Sequence, residues 1–385
     1  MSLGLHTLEC NIVMIPGEMH YLDANASQPL RPAARDAVLA AFAVVGNPAS
    51  VHRAGRGVRR ILEDAREAIA RGFGGQPGDL VFTAGGTEAD ATAIHAMSRG
   101  RRLIISAIEH DAIRSAAAGA AIVPVRADGV VDLDVLEALL SDGVASLVCL
   151  MLANNETGVI QPVEQAAAIC RRHGAVLHVD AVQAAGRMAV RLDLLGAHSL
   201  AISSHKLGGP AGVGALLLAP DAPFTAPLIG GGGQERGRRG GTPAVALIAG
   251  FAAAVQAGTA DDPIRLATLR DAAERAALAC GAVVCGDPTR RLPNTTCLAL
   301  PGVAAGVQVI ALDLENIAVS AGAACSSGKV QTSHVLQAMG LGALAGQAIR
   351  VSLPWNVTPA DIDAFAASYA RVADRLCATL VSNPA

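Results

Sequence analysis

Aromatic side chains are scarce: Phe, Trp and Tyr make up 2% of a 385-residue chain that is 52% hydrophobic. Its core must therefore be built by close packing of Ala, Val, Leu and Ile, with few large rings. No apolar run approaches the roughly 18 residues of a membrane span, so no membrane crossing is expected. The formal net charge is −3 and both signs are mixed along the chain, which excludes the basic face that nucleic-acid binding requires. The eight cysteines include no C-x-x-C pair, and their spacing suits neither a zinc site nor a disulfide framework. No metal is expected, and a reducing cytoplasm is the simplest compartment for such thiols. Cys149 in "SLVCLML" and Cys170 in "AAAICRRHG" read as small buried hydrophobes. The first 20 residues lack the basic start and unbroken apolar centre of a signal peptide. They are set apart as an extension, frayed or left from expression.

What is present is an alternation of helical and strand patterns from about residue 58. "VRRILEDAREAIARGFG" carries apolar residues at helical spacing and ends in glycine. Short apolar runs then recur as "DLVFTAGG", "RLIISAIEH", "SLVCLMLANNE", "AVLHVDAVQ", "SLAISSHK" and "GVGALLLA". Helical candidates separate them, among them "TEADATAIHAMSRG", "DLDVLEALLSDG" and "VEQAAAICRRHG". Strands without in/out alternation, interleaved with helices, predict a mostly parallel sheet covered on both faces. Ligands of such sheets gather beyond the carboxyl ends of the strands.

Five of these strands end in chemically active side chains: Thr87-Glu88, Glu109-His110, Asn154-Asn155-Glu156, Asp180 with Gln183, and Ser203 with His205-Lys206. A parallel arrangement brings all of them to one crevice. A glycine-rich stretch, "PLIGGGGQERGRRGGTPA", and the helix-like "AVALIAGFAAAVQAG" close a large unit assigned to residues 21–258. A smaller α/β unit, residues 259–385, follows. It runs from a helix ("RLATLRDAAERAALACG") to strand-like "TTCLALPG" and "IAVSAG", then a helix ("SHVLQAMG"), a strand ("AIRVSLP") and a final amphipathic helix from about Pro359.

Lys206 directly follows an apolar strand, where an amine of lowered pKa is positioned for a Schiff base; the plain alternative is a solvated loop lysine. Asp180, at the preceding strand end, would cap the next helix or keep a pyridine nitrogen protonated. Gly85-Gly86-Thr87 open a helix whose N–H groups and hydroxyl suit one phosphate, and an ordinary Thr N-cap is the alternative. Ser203 and His205 would add phosphate contacts, and the His110 imidazole would stack on a flat cofactor. Arg350, inside an apolar strand, requires a partner: a substrate carboxylate or an internal salt bridge. Cys325, in "SAGAACSSGKVQTSHVL", stands among Ser, Gly and Ala, a composition that reads as an accessible loop.

From Tyr21 to the last helix the chain resembles the cysteine desulfurases of the class V aminotransferase-like, fold-type I enzymes dependent on pyridoxal phosphate (PLP). The resemblance is carried, in order, by "YLDANASQPL", "GNPASVHRAGR", "VFTAGGTEAD", "EHDAI", "NNETGVIQP", "HVDAVQ", "SSHKLGGPAGVGAL", "GGGQERGRRGGT", "SAGAACSSG" and "IRVSL". It implies a large PLP-binding domain with a mostly parallel sheet, and a small domain carrying the cysteine loop. By resemblance Lys206 is the Schiff-base lysine and proton shuttle, Asp180 pairs with the ring nitrogen, Gln183 bonds the phenolic oxygen and His110 stacks on the ring. Gly86, Thr87, Ser203 and His205 hold the phosphate, with Thr242 reaching in from the partner of a homodimer whose active site lies at the interface. Asn155 and Arg350 anchor the substrate carboxylate side, Asn155 also lying near the cofactor, and Cys325 takes the sulfur of L-cysteine as a persulfide.

The cysteine segment is of the long kind that hands sulfur to an acceptor, such as a scaffold for iron–sulfur clusters. Ser27, Gln28, Ala91 and Thr332 depart from the usual family wording. They leave the cofactor residues intact. The alternatives are a related lyase or aminotransferase, for instance one acting on selenocysteine, and a catalytically silent subunit of the same fold.

Overall fold

The computed structural model describes residues 19–258, 261–324 and 330–382. The N-terminal extension and Cys325 lie outside the described residues.

Strands β1 (Leu80–Thr83), β2 (Arg102–Ser106), β3 (Ala121–Val123), β4 (Ser146–Met151), β5 (Val176–Asp180), β6 (Ser199–Ser203) and β7 (Gly214–Leu218) form one sheet in the order β1-β7-β6-β5-β4-β2-β3. Neighbours from β6 through β3 are parallel, whereas β7 runs antiparallel to both β6 and β1. The mostly parallel sheet expected from the sequence is therefore present. β1 and the five parallel strands all point the same way, so their carboxyl ends share one edge.

Each residue of β4, β5, β6 and β7 is buried, because helices cover both faces. On one face pack α2 (Arg53–Gly72), α5 (Leu133–Leu140), α6 (Val163–Arg172) and α7 (Val245–Gly258), with α1 (Pro32–Phe42) against α7. The apolar stripe of α2, Val58, Leu62, Ala65 and Ile69, recurs at steps of four and three and faces the sheet. On the other face lie α3 (Gly86–Met97) and α4 (Asp111–Ala116), burying Ala89, Ala93, Met97 and Ile113 against Val81, Ile105, Leu147 and Leu216. Small residues let α3 sit close. A Cβ added to Gly214 on β7 would lie 2.7 Å from the Gly85 carbonyl carbon at the start of α3, so only glycine fits there.

A second, antiparallel sheet is built from β8 (Val283–Val284), β9 (Thr295–Ala299), β10 (Ser320–Ala321) and β11 (Ala348–Ser352), in the order β10-β11-β9-β8. Helices α8 (Pro263–Ala279), α9 (Ala305–Asp313), α10 (His334–Ala338) and α11 (Pro359–Ser382) accompany it. The sequence pattern passes from "TTCLALPG" to "IAVSAG" without a helix, yet α9 intervenes. Its apolar residues show no clear one-sided stripe, with Ala305, Gln308, Ala311 and Leu312 buried and Ile310 exposed, so periodicity does not mark it.

The chain entry ties the two sheets together. His20 and Tyr21 pair in parallel with Ile317 and Ala318, and Asp23 bridges to Ser352 on β11. The segment then continues to Asn25 and Ala26, whose carbonyls meet the Lys206 side chain at the parallel sheet's edge. Among the described residues, no helix is long and apolar enough to cross a membrane.

Candidate active site

The carboxyl edge of the parallel strands opens into a cleft of about 590 Å³ lined by Gly86, Thr87, Asp90, His110, Asn155, Asp180, Gln183, Ser203, His205 and Lys206. A second, outer cleft shares His110, Asn155, Gln183 and Lys206 and adds Asp23, Asn25, Gly322, His334 and Arg350. The two sheets thus supply opposite walls, and most of the residues singled out in the sequence meet here.

Lys206 closes the single turn that follows β6. Its Nζ donates to the carbonyls of Asn25 at 2.6 Å and Ala26 at 2.9 Å. Burial, reinforced by Arg187 and then Arg350, pushes the amine down to about 7, against the opposing pull of Asp23 and Asp180. It is therefore not the solvated loop lysine. A lysine with this value is a nucleophile and proton carrier at neutral pH.

Asp180 ends β5 and is buried, its Oδ1 accepting the Val182 N–H at 2.8 Å. That bond makes a local turn, so no regular helix is capped there. Burial raises its pKa, offset by the Val182 N–H, His110 and Lys206. Below it His178, two residues back on the same face of β5, contacts Asp90 through Nε2 at 3.1 Å and Ser199 through Nδ1 at 2.7 Å. Burial holds His178 down to about 3 and, with Asp180 and Glu109 adding, raises the Asp90 carboxyl well above its ordinary range.

The start of α3 is capped by Gly85, not by Thr87, which lies in the first turn. Glu88 closes this end, its Oε2 accepting the Ala84 N–H at 2.7 Å. The Thr N-cap alternative is excluded, and the first turn lines the cleft through Gly86 and Thr87. Across it, Ser203 Oγ and His205 Nδ1 are 3.0 Å apart. His110 caps α4, its Nδ1 accepting from Ala112 N–H at 3.1 Å. Gln183 donates from Nε2 to Asn25 O at 3.0 Å.

Arg350 on β11 is buried. Nη2 donates to Asp23 Oδ1 at 2.7 Å and Nη1 to Asn155 O at 3.1 Å, while Nε has no partner. The internal salt bridge anticipated as one alternative is thus present, at the rim of the outer cleft. Thr242 is exposed and lies in a different cleft, beside Arg59, Arg66 and Glu235; it does not reach Lys206 of its own chain.

Sequence reasoning missed several residues that build this site. Asn25 bonds Asn294 and Thr295 through its side chain and offers its carbonyl to both Lys206 and Gln183. Arg187 touches Gln183. Asn25 stands within "YLDANASQPL", and its polarity between a strand and a turn is the one local signal. Arg187 has none that sets it apart: its partners are the nearby Gln183, by side chain and main chain, and the distant Ala24 carbonyl.

Glu109 is fully buried; Oε1 accepts from Ser106 Oγ and from Met151 N–H at 2.9 Å, and Oε2 has no partner. Burial drives its pKa from 4.5 up to about 8. Because the folded value exceeds the unfolded one, the native state keeps the proton across that window and stability falls as pH rises from 4.5 to 8. Glu109→Gln removes this cost. Its stability relative to the parent, read by thermal melting, should be near parity at low pH and greatest from about pH 8, a gain on the order of 5 kcal/mol. Equal melting curves at both ends of the window would count against it.

Residues 20–365 match the family described as Aminotransferase class-V. A cysteine desulfurase of Cereibacter sphaeroides is 41% identical over 363 residues, spanning 90% of this chain and 93% of the relative. An IscS-like cysteine desulfurase of Mycobacterium tuberculosis is 38% identical over 370 residues, 90% and 94% of the two chains. A NifS-like protein from Rickettsia africae superposes with a TM-score of 0.86 at 33% identity, over 92% of this chain and 99% of that one. The chain therefore belongs to the class-V aminotransferase family, in its cysteine desulfurase group. Enzymes of this family work with PLP.

Proposed function

We propose that the protein is a cysteine desulfurase that converts L-cysteine to L-alanine and passes the sulfur to Cys325. The observation that carries this reading is the meeting, in one cleft, of a lysine whose amine burial pushes down to about 7, a buried aspartate and the first turn of a helix. The donor set suits PLP: an anion-seeking end at Gly86, Thr87, Ser203 and His205, an amine at Lys206 and a carboxylate at Asp180. Bound there, PLP would supply an electron sink for charge developing at the substrate Cα.

The residues of the chain then divide the work. Lys206 would hold the cofactor covalently and then move a proton on Nζ. Asp180 would keep its ring nitrogen protonated, Gln183 would donate to its phenolic oxygen, and His110 would pack against it. The partnerless Arg350 Nε is a buried donor that awaits an acceptor, and with Asn155 it anchors the substrate carboxylate. Cys325 Sγ forms the new S–S bond as the substrate Cβ–S bond breaks, the electron pair staying with the three-carbon remainder, which is protonated to alanine.

A homodimer belongs to this reading. Phe42, Val45 and Val51 are large exposed apolar side chains on one stretch beside α1, and Thr242 would serve the partner's cleft. The persulfide would pass to a scaffold for iron–sulfur clusters or another acceptor protein in the cytoplasm.

The test is turnover of L-cysteine by the PLP-reconstituted protein with a thiol reductant present, which reduces the Cys325 persulfide to thiol and sulfide, and with alanine, sulfide and the visible spectrum recorded together. Equal yields of alanine and sulfide are expected. A protein that takes up no PLP, or yields a product other than alanine, overturns the reading.

A further inference from the structure

Arg187 is a buried cation without an acid. It follows the turn at Gly186 after β5 and is 6% exposed. Nη1 donates to Gln183 O at 2.6 Å and to Gln183 Oε1 at 2.8 Å, Nη2 donates to Ala24 O at 3.2 Å, and Nε has no partner. Among the described residues no carboxylate pairs with it. Enclosing an unpaired guanidinium is costly, and that cost, directly behind the cleft-lining Gln183, calls for a function. Burial and Arg350 lower its pKa to about 9, which leaves it charged at neutral pH.

One network links Arg187 to the reacting amine. Arg187 holds the Ala24 carbonyl, Lys206 holds those of Asn25 and Ala26, and Gln183 Nε2 shares the Asn25 carbonyl with Lys206. The Gln183 amide has one oxygen and one NH₂. With the oxygen taking the Arg187 N–H, the NH₂ is turned toward Asn25 and the cleft. A flipped amide would set donor against donor.

We propose that Arg187 is a positioning residue that locks the Gln183 amide with its NH₂ available to an anionic ligand oxygen. Through the same network its charge opposes a charge on the Lys206 amine. The inference rests on the reading of Lys206 as the reacting lysine. The charged and titratable groups lining the clefts around that amine are Asp23 from the entry segment, Asp90 from α3, His110 and Asp111 at the start of α4, Glu156 after β4, Asp180 from β5, His205 from its own turn, His334 from α10 and Arg350 from β11, with Arg187 acting from behind Gln183. After burial, Arg187 is the largest influence on it. A lysine beside a second cation is a recognised way to obtain a neutral amine near pH 7.

Lys206 and Lys329 are the lysines of the sequence, so acetylation by acetic anhydride followed by peptide mass spectrometry reads Lys206 directly. In the full-length protein stripped of PLP, labelling of Lys206 should titrate near neutrality. Arg187→Gln should move that titration up by about one unit, making labelling at pH 7 roughly fivefold slower; Arg187→Lys should stay within about twofold of the parent. In the PLP-loaded protein, Arg187→Gln should shift the visible band in the same direction as Gln183→Leu. Should Arg187→Gln fail to fold by circular dichroism, Arg187→Met replaces it. A parent Lys206 that titrates near its ordinary value, or a neutral variant with unshifted labelling, overturns the electrostatic role; an unmoved band, where Gln183→Leu moves it, overturns the positioning role. A parent that binds no PLP at Lys206 refutes the proposed function instead, so the two failures are distinguishable.

Discussion

Lys206→Ala is expected to lower L-cysteine turnover by at least about a thousandfold, toward the upper range for removal of a positioned proton-transfer group, and to abolish covalent attachment of PLP. The reason lies in how the amine is held. Two main-chain carbonyls fix Nζ at 2.6 and 2.9 Å, and burial with two arginines makes it a base near pH 7. His110 and His205 line the same cleft, but neither can form the imine a lysine forms. Folding should survive the change, because the folded state disfavours the charged amine. The folded value lies below the unfolded 10.5, so this penalty is full below about pH 7 and is relieved as pH rises through 10.5. Thermal melting at pH 7 should therefore be no lower than in the parent. Mass spectrometry of the borohydride-reduced, PLP-treated variant checks the attachment; turnover within tenfold of the parent would refute the assignment.

Cys325→Ala should bind PLP and L-cysteine as the parent does, yet lose sulfide release by at least about a hundredfold. The argument is one of supply. Among the described residues, neither cleft is lined by a cysteine. Cys149, Cys170 and Cys297 are buried, and burial contributes to pushing each thiol up, the wrong direction for a thiolate nucleophile. Cys285 is buried and hydrogen-bonded to Cys297. The segment holding Cys325 departs from Gly322 and returns at Ser333. A Cβ on Gly322 would lie 2.1 Å from Glu156 Oε2, and the same oxygen accepts from Ser333 Oγ at 2.5 Å. Both ends therefore border the outer cleft at one carboxyl group. The check is persulfide trapping with an alkylating reagent and peptide mapping. A persulfide at another cysteine, or undiminished sulfide from the variant, would rule Cys325 out.

Much of this was legible in the chain because its signals are local. Apolar runs without alternation specified strands buried on both faces, and β4 to β7 are buried throughout. The residues after those runs, Asp180, Ser203 and Lys206 among them, had to share an edge once the strands were parallel. Helix α9 escaped because its apolar residues lack a one-sided stripe, and α1 because Arg31 gives it no side-chain cap and its first turn carries no acid, leaving the proline at its start as the only signal. The choice between cap and phosphate site at Thr87 was not local either. It turned on Gly85 taking the cap position, where α3 sits against Gly214 of a strand more than 100 residues away.

By itself, then, the sequence determined the class of fold and the edge at which its polar strand-end residues meet, since each depends on periodicity or on position relative to a strand end; the roles proposed for Lys206, Asp180 and Cys325 came with the family resemblance. Only the tertiary structure decided the protonation of that lysine, the ion pair between Arg350 and Asp23, and the placement of Asn25 and Arg187. These depend on burial and on distances between segments as far apart as residues 23 and 350. Charge and hydrogen bonding act through space, and no pattern along the chain records which groups folding will bring within 3 Å of one another.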